Sequence, residues 1–306
     1  MSGPARVVAE VIVEDGHVIL AKGDEIDVPW WSFTKTVIAA AALVLVRDGH
    51  LALDQPLDEQ NYTLRQLLQH RAGLTDYGGL APYHDAVACS AEAWPVSELL
   101  ARTDADQLIY RPGEGWAYSN IGYLLVRRLI EETTAEDLAS ALARLVLQPL
   151  GIEDVRLAER REHLSTVAMG EARDYDPRWV YHGLLVGPLQ SAALFLDRLM
   201  TGDLLPPELL SSMRQAHPVG GPIAGRPWQS PAYGLGLMMG GANVGIGDGM
   251  TIAGHTGGGP GSVIAIYHRA DSPSRTAATF SPGDDQGEVE RRCVLSLDAL
   301  PAKKDA

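Results

Sequence analysis

From Thr36 to Val46 the chain offers no polar face. The run Thr-Val-Ile-Ala-Ala-Ala-Ala-Leu-Val-Leu-Val is built of residues that suit a helix, and a helix apolar all round is stable only where other protein surrounds it. It stops at Arg47-Asp48-Gly49, a cation followed by a glycine that can end the last turn. It is of buried-helix length, and no stretch reaches the about 18 apolar residues of a membrane span. The fold must therefore supply partners on every side of this segment. A chain of 306 residues, 46% of them hydrophobic, is long enough to do so.

The partners come from both ends. Val7 to Val13 and Val18 to Ala21 flank an Asp15-Gly16 turn signal and read as a hairpin. Two such strands bury an apolar face only as part of a larger sheet. Strands recur in Tyr233–Met239, Thr251–Thr256 and Ser262–Tyr267, and Glu288–Leu297 reads as a closing helix. Between about 50 and 180 the pattern is helix and loop, with helices over Thr63–His70, Ile121–Glu132 and Ala135–Leu147. Ser191–Met200 and Pro207–Met213 add two more. The expected fold class is α/β of the α+β type: an antiparallel sheet flanked by helices, assembled from both chain ends, plus a mostly helical inserted domain. Residues 1–48 and 185–306 are expected to form the sheet-containing domain and 49–184 the helical one, with the active site at the seam.

Composition narrows function. With 25 Lys and Arg against 39 Asp and Glu the net charge is −14, which repels phosphate backbones and anionic lipid, so neither nucleic acid nor a membrane surface is an expected partner. Two cysteines without metal spacing read as free thiols, and no His-Glu-x-x-His or Gly-x-Ser-x-Gly pattern occurs. No cofactor or metal is expected. The residues before Val13 contain no signal-peptide core, and the chain reads as cytoplasmic.

Three local patterns carry chemistry. In Ser32-Phe33-Thr34-Lys35 the serine and lysine share a helical face, at the head of the apolar run. Desolvation there lowers a lysine's pKa toward that of a usable base. The plainer reading is a helix-capping serine and a lysine that snorkels to water. Tyr118-Ser119-Asn120 follows the turn Arg111-Pro112-Gly113, and alternation in an extended segment points Tyr118 and Asn120 the same way. The alternative is an interface tyrosine and an asparagine that caps the next helix. Gly254-His255-Thr256-Gly257-Gly258-Gly259 lies between apolar strands, where glycines allow a backbone to approach a substrate. Trp30 and Trp31 either narrow an acyl pocket or pack between domains, with packing the expectation; His182 could line the cleft, but a structural histidine is the expectation.

Taken in order, Ser32-Phe33-Thr34-Lys35, Tyr118-Ser119-Asn120 and His255-Thr256-Gly257 resemble the three active-site motifs of serine β-lactamases and penicillin-binding proteins. Leu53-Asp54-Gln55-Pro56-Leu57, the His-Arg-Ala-Gly-Leu that ends at Leu74, Gln148-Pro149-Leu150-Gly151 and Tyr233-Gly234-Leu235-Gly236 are similar to the class C branch, which also holds esterases and D-amino-acid peptidases. The resemblance implies Ser32 as acylated nucleophile, Lys35 as its base, and Tyr118 as proton relay. It implies Asn120 orienting the substrate, and backbone N–H groups of Ser32 and Gly258 as the oxyanion hole. His255, Thr256 and Gly257 would complete the substrate side, with Thr256 touching a substrate carboxylate. His255 stands where many members carry lysine, so a fixed charge is replaced by a group expected to titrate near about 6.5.

The expected function is a serine hydrolase that forms an acyl-enzyme on Ser32 and hydrolyses a small ester or amide, as esterases and D-aminoacyl amidases do. A true β-lactamase or D,D-carboxypeptidase is the alternative, and a non-catalytic ligand-binding protein on this fold a further one. Oligomeric state is not legible in the sequence.

Overall fold

The first hairpin joins β1 (Ala9–Glu14) to β2 (His17–Lys22) through Asp15 at φ 47° and Gly16 at φ 81°, the pair of positive angles that a type I′ turn requires. A computed structural model describes residues 9–298 except 24, 58–60, 171, 173 and 246–248. Val7 and Val8 of the expected first strand lie outside the described residues.

After β3 (Asp27–Pro29) come α1 (Thr34–Arg47), α2 (Leu64–Leu68), α3 (Ala81–Ala88), α4 (Val96–Arg102), α5 (Asn120–Thr134) and α6 (Leu138–Leu142). Then follow β4 (Arg156–Ala158), β5 (Leu184–Pro188), α7 (Leu189–Thr201), α8 (Pro207–Met213) and β6 (His217–Pro218). The chain continues through β7 (Trp228–Tyr233), β8 (Met238–Ala242), β9 (Met250–Gly259), β10 (Ser262–Arg269), β11 (Arg275–Pro282) and α9 (Gln286–Asp298). The main sheet runs β2-β1-β11-β10-β9-β8-β7-β6. Its pairings are antiparallel, and β1 meets β11 with Ala9 opposite Phe280 and Glu14 opposite Arg275. The sheet is thus assembled from both ends of the chain, as the strand pattern required.

Alternation along β10 explains why both faces are covered. Val263, Ala265 and Tyr267 pack with Val289, Cys293, Val294 and Leu297 of α9. Ile264 and Ile266 point the other way and join Phe195, Leu196 and Leu199 of α7 in the main core. Helix α1 is buried from Thr34 through Leu45, against α5 and α6 among others. Its lack of a polar face is answered by protein on all sides.

Several elements differ from expectation. Tyr233–Met239 is two strands and a turn, because Gly236 sits at φ +72° and a Cβ there would lie 2.4 Å from the Cβ of Ala39. That turn is tied to α1 by the Thr36 hydroxyl, which donates to the Gly236 carbonyl at 2.8 Å. Strand β11 reads Arg-Thr-Ala-Ala-Thr-Phe-Ser-Pro, too poor in large apolar residues to show a period. A second sheet, β3-β5-β4, pairs Asp27–Pro29 with Leu184–Pro188 and so anchors the segment that leads into Ser32.

Candidate active site

Strand β3 ends at Pro29 and α1 begins at Thr34, so Ser32 occupies a single tight turn, Trp31–Phe33, ahead of the helix. Trp31 holds φ +40°, a conformation strained for a bulky residue and of the kind that clusters at active sites. It is held there by its indole N–H, which donates to the Ser262 hydroxyl at 3.0 Å, and by an edge contact with Tyr175. Trp30 packs on Phe33 and Phe195. The N-cap of α1 is Phe33, with no side-chain capping bond, so the Ser32 hydroxyl is not spent on the helix.

Lys35 is fully buried. Its ammonium lies 3.1 Å from Ser32 Oγ, 2.7 Å from Asn120 Oδ1 and 3.2 Å from His182 Nε2. Burial brings its pKa down to about 7, against a smaller opposing pull from Asp76. A lysine without solvent access cannot snorkel, and near neutrality half of it is an amine with a lone pair beside a serine hydroxyl.

The second motif supplies the opposite wall. Ser119 is the N-cap of α5, its hydroxyl accepting from the Gly122 N–H at 3.1 Å. Asn120 is therefore free of capping and turns to Lys35. Asp76 fixes it twice, accepting from the Asn120 backbone N–H at 2.7 Å and facing Asn120 Nδ2 at 3.4 Å. Tyr118 places its ring 5.0 Å from Lys35 Nζ. Burial raises its pKa, with a hydrogen bond to Ser32 working the other way, so the phenol is protonated at neutral pH and is a proton donor first. Beneath it lies His70, ring centroids 4.2 Å apart, whose Nδ1 accepts from the Ser119 N–H at 3.0 Å.

The third motif runs along β9. Gly257 and Gly259 face the nucleophile's turn: a Cβ on Gly257 would stand 2.8 Å from Ser32 N, and one on Gly259 2.5 Å from the Trp31 ring. These glycines admit the protein's own turn, its backbone at Gly257 and the Trp31 ring at Gly259. His255 points to the same side, and its behaviour departs from the expectation of titration near neutral pH. Tyr233 OH lies 2.8 Å from its Nε2 and the Thr256 carbonyl 2.7 Å from its Nδ1. Burial and the Lys35 charge bring its pKa down to about 3, so His255 is a neutral, fully partnered imidazole above that pH.

Thr256 alternates with His255 along the strand and still lines the second of the cavities beside Ser32. Its hydroxyl donates to the buried Glu290 carboxylate of α9, which also accepts from Tyr267 OH at 3.2 Å and pairs with the Arg226 guanidinium. A protein carboxylate thus holds the hydroxyl expected to touch a substrate carboxylate. Gly258 and Ser32 line the two cavities that flank the nucleophile. One of about 630 Å³ is faced by Trp31, Tyr77, Tyr83, Trp179 and His182; the other, of about 500 Å³, by Tyr118, Trp116, Trp228, Met239 and Arg226.

Ser32, Lys35, Tyr118, Asn120, His255, Thr256, Gly257 and Gly258 are therefore brought to one place from three separate parts of the chain. A family model described as Beta-lactamase matches residues 5–281. The chain belongs to the beta-lactamase family. It is 32% identical over 143 residues to Esterase EstB of Burkholderia gladioli, covering 40% of this chain and 36% of that protein. The chain thus matches little more than a third of that relative's length. Among solved structures it is similar to a D-amino acid amidase from Ochrobactrum anthropi SV3, with TM-score 0.77 and 21% identity over 95% of this chain and 94% of that one. A D-stereospecific amidohydrolase from Streptomyces sp. superposes with TM-score 0.73 and 22% identity over 94% of each chain. These likenesses carry the fold.

Sequence reasoning missed Asp76, Glu290 and Arg226 and read His182 as structural, whereas it lines the first cavity. None lies in a short motif, and the contacts that matter span 44, 34 and 147 residues for Asp76–Asn120, Glu290–Thr256 and His182–Lys35. Among the described residues no group of three or more His, Cys, Asp or Glu is placed to hold a metal ion, and no helix is long and apolar enough to cross a membrane.

Proposed function

We propose that this protein is a serine hydrolase that acylates Ser32 and hydrolyses a small ester or amide. The observation that carries it is the fully buried amine of Lys35, its pKa brought to about 7, lying 3.1 Å from a serine hydroxyl that lines both flanking cavities. Lys35 Nζ takes the Ser32 proton as Oγ bonds to the substrate carbonyl carbon. Tyr118 donates its proton to the leaving group as that bond breaks. The tyrosinate takes a proton from water, whose oxygen bonds to the acyl carbon, and the Lys35 ammonium returns its proton to Oγ as the acid departs. Ser32 and Gly258 N–H groups are proposed as the oxyanion donors. Residues 1–48 with 185–306, and 49–184, are proposed as the two units whose seam holds these groups.

An uncharged or cationic substrate fits better than an anionic one. His255 is neutral, and the Arg226 charge is matched by Glu290. Asp76 lines the second cavity, and the chain is strongly acidic. The names of the similar proteins, an esterase and a D-amino acid amidase, agree with this chemistry. The unpaired Cys89 and Cys293 fit a reducing, cytoplasmic setting.

The test is wild type and Ser32→Ala against a chromogenic short-chain ester, a D-aminoacyl anilide and a chromogenic cephalosporin. Turnover of the ester or anilide by wild type alone is expected. Equal turnover by both proteins overturns the assignment of Ser32, and a long-lived cephalosporin adduct on Ser32 moves the reading to a penicillin-binding protein.

A further inference from the structure

The Lys35 amine has three partners and they are not equivalent. Ser32 Oγ can give a proton, whereas Asn120 Oδ1 only accepts, and Asp76 keeps the amide in that orientation by facing its Nδ2. The third partner is His182 Nε2 at 3.2 Å. His182 is presented by a tight turn in which the Gly183 N–H donates to the Val180 carbonyl at 2.6 Å and Gly183 adopts φ +107°. It is buried, stands edge-on to Tyr123 at 6.5 Å, and its Nδ1 has no partner among the described residues.

We propose that His182 is a positioning residue for Lys35: its bare Nε2 takes one N–H of the neutral amine while Asn120 takes the other, which leaves the lone pair aimed at Ser32. This rests on the serine-hydrolase reading and extends it. A neutral amine has two N–H bonds and one lone pair in a tetrahedral arrangement, so two acceptors that hold no proton toward it decide where the third direction points. The imidazole must then carry its proton on Nδ1, and burial together with the Lys35 charge keeps it from taking a second. The groups that face it are Lys35 from α1, Arg127 and Tyr123 from α5, His70 after α2 and His255 from β9; Asp76 is the anion that acts on Lys35. Two of these, His70 and His255, are themselves held neutral by burial.

The test combines two measurements. In the wild-type protein, imidazole ¹⁵N shifts are expected to show His182 protonated at Nδ1 and bare at Nε2; the opposite tautomer overturns the proposal without any variant having to fold. In His182→Leu, checked for folding by thermal melting, kcat/KM for the ester is expected to fall at least tenfold on its high-pH plateau. Its acid limb is expected to move to lower pH, since the ammonium has lost an acceptor, and His182→Gln is expected to restore both. A fall in rate with the limb unmoved, or no rescue by glutamine, reduces His182 to packing and overturns the proposal. The rate of Ser32 labelling by an aryl phosphonate ester, whose adduct does not deacylate, read by intact mass, separates the two layers. No adduct in wild type breaks the hydrolase reading itself, whereas an adduct formed equally fast in His182→Leu breaks only the role of His182.

Discussion

Two buried polar clusters lie on opposite faces of β9 and handle charge in opposite ways. On one face Lys35 is fully buried among neutral partners, Ser32, Asn120 and His182, with the Asp76 carboxylate as a smaller, through-space attraction. On the other, Glu290 is equally buried but carries its counter-ion, Arg226, and two hydroxyl donors, Thr256 and Tyr267. Adjacent residues of one strand, His255 and Thr256, serve the two clusters. A buried charge left without a counter-ion shifts its pKa and becomes reactive; one that is matched becomes a fixture of the fold. The reaction is expected on the first face and stability on the second.

The largest effect that breaks this contrast comes from Lys35→Met. Turnover of an ester is expected to fall about 10⁴-fold, while stability in urea rises by about 1–4 kcal/mol because the desolvated ammonium is gone. The sign follows from linkage. The folded pKa, about 7, lies below the ordinary 10.5, so the unfolded chain binds the extra proton between these values. The destabilisation is full below about pH 7 and is relieved as pH rises toward 10.5. Wild type should gain on the variant over that window, and a constant difference counts against a buried ammonium.

Glu290→Ala is expected to do the reverse, lowering stability by about 3 kcal/mol, at the low end for a broken buried pair because Arg226 retains access to water. Chemical denaturation reads it, and the folded fraction should keep its acid limb. Next in size is that limb: kcat/KM is expected to rise tenfold per pH unit to a midpoint at about 7 and then level, as Lys35 loses its proton. His255→Gln should leave the midpoint in place, since His255 is neutral above about pH 3; loss of the limb in that variant would assign it to the histidine instead. The smallest effect is Thr256→Val, which is expected to cost about 1 kcal/mol of stability for one hydrogen bond and to leave KM for a neutral ester nearly unchanged. A large rise in KM would return Thr256 to the substrate.

The readable part of this molecule is what repeats within a few residues. The hairpin at Asp15-Gly16, the all-apolar α1 and the helices near 121–132 and 191–200 each carry a local period or turn signal. Strand β11 was illegible because small and hydroxylated residues carry no alternation, yet they fill the centre of the sheet between α7 and α9. The Gly-rich motif was legible as a close approach, but the approaching group, the turn at Trp31–Ser32, lies more than two hundred residues upstream.

By itself the sequence determined that α1 had to be enclosed, that the sheet had to draw on both chain ends, and that Ser32, Lys35, Tyr118 and Asn120 were the residues to watch. The first two follow from period and propensity, which are local; the four residues stood out through the resemblance of their ordered motifs to a known family, because their local patterns alone left plainer readings open. Only the tertiary structure decided the electrostatic state of the site: a lysine brought to about 7, a histidine neutral down to about 3, and a threonine whose hydroxyl is bonded to a buried glutamate. Desolvation and pairing depend on what the rest of the chain places around a group, and for these groups the partners come from strands and helices far apart in sequence.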